Sequence, residues 1–148
     1  MNREIKFRVW DRKACKFIYE HEACSTRLAI AFNGRVYHGG YDNVLPEQGY
    51  IIQQWTGKVD QNSKNIYEGD QATLIEPYSS QCPFGTIYFD TYTATFRIKT
   101  TGGTSMPAKM ARVEEGKTVK FIQPAKEVVG NIFEGDLPDP DVLGEYSP

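Results

Sequence analysis

Asn65–Asp70 reads NIYEGD and Asn131–Asp136 reads NIFEGD, with sixty residues between the two copies. In an extended chain the Ile and Glu of each copy share one face and the aromatic takes the other. Gly69 and Gly135 permit a sharp exit from a strand, because glycine adopts backbone conformations closed to other residues. Asp70 and Asp136 can then accept hydrogen bonds from the backbone donors of the turn that follows. Tyr67 has a polar tip suited to the rim of a small barrel; Phe133 lacks it. The shared spelling therefore predicts one local event twice: a strand ends and the chain turns. A sharper reading pairs Glu68 with Asp70 and Glu134 with Asp136, carboxylates that face the same way and could hold a divalent cation through oxygen. Acid–base work would need one of them with a raised pKa. No His, Lys or hydroxyl group accompanies either pair at a telling spacing, so the turn reading is preferred. The residues flanking the two copies do not match, which argues against duplication of a whole domain.

Outward from these copies the pattern is that of strands. EIKFRVW, residues 4–10, alternates strictly, with Ile5, Phe7 and Val9 on one face and Lys6, Arg8 and Trp10 on the other. Asp11-Arg12-Lys13 reads as a turn and Cys15 to Glu20 as a returning strand. Asn33-Gly34 between two apolar runs predicts a hairpin with a type I′ turn. Residues 42–49 read as a loop and as a seam between two subdomains. GYIIQQWTG is a strand candidate, followed by the polar bend KVDQNSKN. After NIYEGD, Ala72 and Leu74 are predicted to share a face. FGTIYFDTYTATFRIKT reads as a hairpin of aromatic strands joined near Asp90-Thr91, and Gly102-Gly103 as a further turn. The one helical hint is SMPAKMARVEEG, with Ser105 as N-cap and Pro107 early in the first turn. VKFI and EVVGNIF close the domain, and Gly130 suits a bulge. Turn signals at short intervals favour an all-β barrel or sandwich over βαβ units.

A chain of 148 residues suits one domain with two lobes. Its 9 Tyr and 8 Phe lean towards pleated, half-buried surfaces. The formal charge of -2 argues against a globally basic nucleic-acid binder. Charge is unevenly spread, however. Residues 1–16 carry a net +4 from Arg3, Lys6, Arg8, Arg12, Lys13 and Lys16 against Glu4 and Asp11, whereas residues 130–148 carry -5 with no base. Such polarity can steer a partner or pair the two ends within or between chains. Residues 137–148 read as an acidic, Pro-rich tail.

Cys15, Cys24 and Cys82 are odd in number and form no CxxC, so a reducing compartment is expected. The N-terminus MNREIKFRVW has no apolar signal core, and the longest apolar run, Leu28 to Phe32, is too short to cross a bilayer. These features predict a cytoplasmic protein without membrane contact. Cys15, His21, Cys24 and His38 match no familiar zinc spacing. Free Cys packed as a small hydrophobe, beside exposed His, is the plainer account. No nucleophile signature or phosphate loop is present, and neither metal nor cofactor is expected.

REIKFRVWD, QQWTGKVDQNSKNIYEGD, GTIYFDTYTATFRI and EVVGNIFE occur in the order that characterises the YopX family of bacteriophage, prophage and mobile-element proteins, which the chain resembles from Arg3 to Glu134. The run from Trp55 to Asp70 resembles the family's central motif, and Val128 to Glu134 its closing one. The chain departs from the pattern at Gly135-Asp136, over Ser79–Pro83 and over residues 100–120. The resemblance implies a mainly β fold with little helix: an N-terminal β-ribbon subdomain over residues 1–48 and an SH3-like small barrel over residues 49–136. It carries no established activity, catalytic residue or cofactor.

What the chain offers is surface for binding. Lys6, Arg8 and Trp10, with Arg12 and Lys13, form a basic-aromatic stripe if Ile5, Phe7 and Val9 face the core. Such a stripe would supply phosphate contacts and a stacking ring for nucleic acid. Trp55 and Tyr67 are candidates for an aromatic groove that takes an extended peptide. Both Trp residues have an alternative place in the core, since large aromatics are usually buried. The preferred expectation is a non-enzymatic accessory protein that binds a protein partner or a second copy of itself. A nucleic-acid-binding factor is the alternative, and exposure of Trp10 beside the basic residues is what separates the two.

Overall fold

The two hexapeptides meet. A computed structural model of the chain describes residues 4–22, 28–32, 34–38, 49–76, 79, 84–100, 102–108, 111–116 and 118–134. The strands are β1 (Phe7–Asp11), β2 (Lys16–Ile18), β3 (Leu28–Ile30), β4 (Val36–His38), β5 (Tyr50–Val59), β6 (Asn65–Tyr67) and β7 (Asp70–Leu74). They continue as β8 (Phe84–Asp90), β9 (Thr95–Thr100), β10 (Ser105–Pro107), β11 (Ala111–Glu115), β12 (Thr118–Ile122) and β13 (Ala125–Asn131). The chain is mostly β, as the sequence predicts, and it divides into two units, Met1–Trp55 and Thr56–Ser147. The division falls inside β5.

In the first unit β1 is the middle strand, antiparallel to β2 and to the first half of β5. Asp11 makes the β1–β2 turn by accepting the N–H groups of Lys13 and Ala14 at 3.0 and 3.1 Å. The returning strand is shorter than the predicted Cys15–Glu20. Cys15 lies in the turn with φ 53, and Tyr19 opens a helical turn. There Glu22 N–H donates to Tyr19 O at 2.9 Å, while the Glu22 carboxylate accepts the Tyr19 N–H at 3.0 Å. The second bond is the Glu half of a capping box, satisfying the backbone N–H at the start of the turn. The β3–β4 hairpin is present, but not with a two-residue loop. Gly34 N–H donates to Ala31 O and Ala31 N–H to Arg35 O, so pairing extends to Ala31 and Arg35 and Gly34, φ 79, closes the loop; Asn33 lies outside the described residues. Three-residue hairpin loops end in a left-handed residue of this kind.

The second unit is a curled five-stranded antiparallel sheet in the order β10-β9-β8-β7-β13. The curl of the sheet covers a core of Ile66, Ala72, Leu74, Ile87, Phe96, Ile98, Met106, Ala108, Ala125 and Val128. Ala72 and Leu74 share the buried face, as predicted. Gly85 admits the close approach of β9: a Cβ there would overlap the Ile98 Cγ2 methyl. The register of β13 on β7 shifts between Val128 and Gly130, which is the expected bulge, and Val129 is left exposed. Ser105–Gly116, which suggests a helix in the sequence, is instead β10 and β11. Met106 pairs with Ile98, and burial alternates with period two from Ser105 to Ala108. Tertiary burial overrides the local cap signal, and Pro107 is tolerated because β10 is an edge strand. β11 and β12 pair as a hairpin of their own.

Turn-making at the first hexapeptide differs from the prediction in one respect. Asp70 already belongs to β7, so it caps the turn before it: its Oδ2 accepts the Tyr67 N–H at 2.9 Å. Gly69, φ 83, takes the third turn position, where a type II turn requires a positive φ. The turn is then gripped from both sides. Gly69 N–H donates to Ile87 O at 2.7 Å, and Ile132 N–H of the second hexapeptide donates to Gly69 O at 2.9 Å. Asn131 Nδ2 donates to Asp70 Oδ1 at 3.3 Å, and its Oδ1 accepts the Phe133 N–H at 2.8 Å. Gly135 and Asp136, predicted to make the second turn, lie outside the described residues, as does the tail.

Asp60 is a second carboxylate of this kind, unremarked in the sequence except as part of the polar bend. Oδ1 accepts the N–H groups of Asn62 and Lys64 at 2.8 and 2.9 Å, and Oδ2 accepts Val128 N–H at 2.9 Å. One side chain thus ties the β5–β6 turn to the closing strand. Burial works to raise its pKa, but the three N–H donors, with the Lys64 charge, hold it below the usual 3.8.

Candidate binding surface

Strand β1 decides what the first unit can bind. Its side chains alternate as predicted, and burial falls on both faces: Val9 is buried and Phe7 half-buried, as expected, but the opposite face is buried as well. Arg8 and Trp10 are only 4% and 6% exposed. Trp10 lies across from Phe17, ring centroids 4.8 Å apart, and across from Ile51 on β5. Arg8 Nε donates to Gln53 Oε1 at 2.9 Å, and its guanidinium lies 4.0 Å from the Phe17 ring centre. A planar, weakly hydrated guanidinium tolerates such a place where an ammonium would not. As a middle strand, β1 has neighbours on both sides, so large groups on either face can be covered. Alternation alone does not say which face is.

The basic-aromatic stripe is therefore not an open surface. Lys6 pairs with Glu4 at 3.0 Å and lies 4.8 Å from the Trp55 ring centre, which is half-buried. Arg12 is half-buried and Lys13 exposed, both in the β1–β2 turn. Tyr67 is buried in the second unit. With Trp10 enclosed, the stacking ring that a nucleic-acid interface needs is not available here.

The face predicted to be core is open only at its start, at Ile5 just before β1. Ile5 is 55% exposed, and Ile5, Phe7 and Val9 line a cleft of about 200 Å³ with Ile18 of β2 and Leu28 and Ile30 of β3. Phe32 at the tip of the β3–β4 hairpin is fully exposed. Sequence reasoning missed this site because it assigned Ile5 to the interior together with Phe7 and Val9. The apolar β3 signal was visible, but not its position opposite β1.

Other nominated groups are not brought together. Asp70 is 1% exposed and committed to Tyr67 and Asn131, so it does not pair with Glu68 as an open cation site. Cys15 is exposed, its thiol 3.5 Å from Arg12 O, and His21 stacks on Tyr19. Cys24, Cys82 and the His38 side chain lie outside the described part. Among the described residues no group of three or more His, Cys, Asp or Glu is placed to hold a metal ion. No helix among them is long and apolar enough to cross a membrane.

A mainly β chain with these motifs has a family. Residues 6–137 match the model of the YopX protein family, and the chain belongs to it. Within the matched range, Asp60 and Asp70 are the two buried carboxylates, among the described residues, that hold the turns on either side of β6. In fold, the chain is similar to protein EF1440 from Enterococcus faecalis, a crystal structure. The TM-score is 0.50 at 17% identity, over 89% of this chain and 95% of that one. No curated protein matches the sequence.

Proposed function

We propose that this chain is a non-enzymatic accessory protein of a phage or related mobile element, acting in the bacterial cytoplasm by binding a protein partner through the apolar cleft of its first unit. The observation that supports the reading is the apolar cleft itself, with Ile5 and Ile30 exposed at it and Phe32 exposed on the adjoining hairpin. Covering the exposed Ile5, Ile30 and Phe32 would remove apolar surface from water. Exposed apolar groups rimmed by polar ones mark interaction sites. A fully covered Ile or Phe side chain contributes about 1.5–3 kcal/mol, so two or three suffice as the centre of a specific contact.

The test uses Ile30→Lys and Ile5→Lys. Both positions are open, so the thermal midpoint is expected to stay within a few degrees of the wild-type value. Tagged wild-type protein should retain a host or phage protein from lysate, or self-associate in sedimentation, and both variants should lose that species. Retention or self-association equal in wild type and variants would sink the cleft as the binding site.

A further inference from the structure

Along β9, Phe96 and Ile98 enter the core, while Thr95, Arg97 and Lys99 take the opposite face. Tyr88 of β8 sits directly across from Arg97, and Ser105 of β10 across from Lys99. Arg97 Nε donates to Ser105 Oγ at 2.8 Å, and the Ser105 and Tyr88 oxygens are 2.8 Å apart. The two hydroxyls have two protons between them. One is used in their mutual bond, whichever way it points, and the other is left over. The guanidinium keeps its two terminal NH₂ groups. Among the described residues no carboxylate lies within ion-pair distance of Arg97. Asp90 is the nearby acid, but its oxygens accept Thr93 Oγ–H at 2.8 Å and Tyr92 N–H at 3.0 Å. Those bonds, the Thr93 hydroxyl first, hold its carboxyl below the usual 3.8, with a smaller contribution from the Arg97 charge.

What faces outward is a cluster with donors to spare: a guanidinium fork pre-set by Ser105 and one hydroxyl proton. A fork of this geometry matches a planar or tetrahedral oxyanion through two parallel bonds. We propose that Tyr88, Arg97 and Ser105 form an oxyanion-binding site on the open face of the five-stranded sheet, with a carboxylate or a phosphate monoester as ligand. The site lies within the second unit and is independent of the cleft. Sequence reading placed Ser105 at a helix cap, and nothing in the spacing of residues 88, 97 and 105 brings them together before the strand register is known.

The full-length ¹⁵N-labelled protein is titrated with inorganic phosphate, and separately with acetate, at constant pH and ionic strength. The Arg97 Nε–H and the amides of Tyr88, Arg97 and Ser105 report binding. At least one anion is expected to give saturable shifts confined to these groups, and the anion that does so assigns the phosphate or the carboxylate class. Arg97→Lys keeps the charge but loses the fork, and should weaken binding about tenfold, the value of one charge-assisted hydrogen bond. Tyr88→Phe keeps the ring and should weaken it several-fold. An unshifted Ile98 amide confirms that each variant retains the sheet. Linear shifts with both anions, or saturation equally tight in both variants, would overturn the proposal.

Discussion

The two copies of the hexapeptide share five of six residues and do different work. In NIYEGD the last residue carries the turn: Asp70 starts β7, is 1% exposed, and caps Tyr67 behind it. In NIFEGD the first residue does: Asn131 ends β13, is 2% exposed, and caps Phe133 ahead of it. Asn65, the counterpart of Asn131, is half-buried in β6. Local sequence offers the same donors and acceptors twice; the position of each copy in the sheet decides which are used. Because β13 lies on β7 with Asn131 across from Asp70, the two used groups are also bonded to each other.

The largest expected effect tests that asymmetry. Asp70→Ala strands the Tyr67 N–H and the Asn131 Nδ2 in a dry interior, and should destabilise the fold by about 3 kcal/mol in urea unfolding. Asn131→Ala should cost about 2 kcal/mol, and Asn65→Ala less than about 1 kcal/mol. Because Asp70 and Asn131 share a bond, the double variant should cost less than the two singles together. Equal costs at Asn65 and Asn131 would mean that the copies are equivalent after all.

Asp60 extends the comparison to a carboxylate outside either copy. Asn at this position would turn an NH₂ towards either Val128 N–H or the Asn62 and Lys64 pair, placing donor against donor. Asp60→Asn should therefore cost about 2 kcal/mol at neutral pH. Its folded pKa lies below the unfolded one, so its stabilisation is present above the unfolded value and is lost as pH falls through the folded one. The difference between wild type and Asp60→Asn should shrink below about pH 4, measured as urea midpoints across pH 2–7. A difference constant across that range would remove Asp60 from the account.

Much of the fold was legible because it rests on local rules. The turns at Asp11, Asp90 and Gly102-Gly103, the shared face of Ala72 and Leu74, and the Gly130 bulge follow from side-chain period and turn chemistry. What was not legible depends on neighbours distant in sequence. Alternation in β1 gave two faces but no means of choosing between them, since each held large apolar groups. In the structure both are covered at mid-strand: Phe17 and Gln53 lie against Arg8 and Trp10, and Val9 is buried on the other face. The β10 segment shows the same limit from the other side: Ser105 and Pro107 are sound helix-start residues, and pairing with β9 overrides them. The candidate cleft was hidden by the first of these ambiguities and the oxyanion cluster by the second.

The smallest effect concerns the turns themselves. Gly69 and Ala94 both take positive φ, 83 and 53, at the ends of the β6–β7 and β8–β9 turns. Only the first has the residue that adopts such a conformation without strain. Gly69→Ala should therefore destabilise by about 1 kcal/mol, and Ala94→Gly should stabilise by about 0.5–1 kcal/mol, despite the extra freedom glycine gives the unfolded chain. The two changes are far apart in role but opposite in sign, so thermal midpoints moving in the same direction would show that turn conformation is not what limits either site. If they diverge as expected, glycine in the hexapeptide is explained by backbone geometry at Gly69 alone, and the shared spelling of the two copies needs no common function.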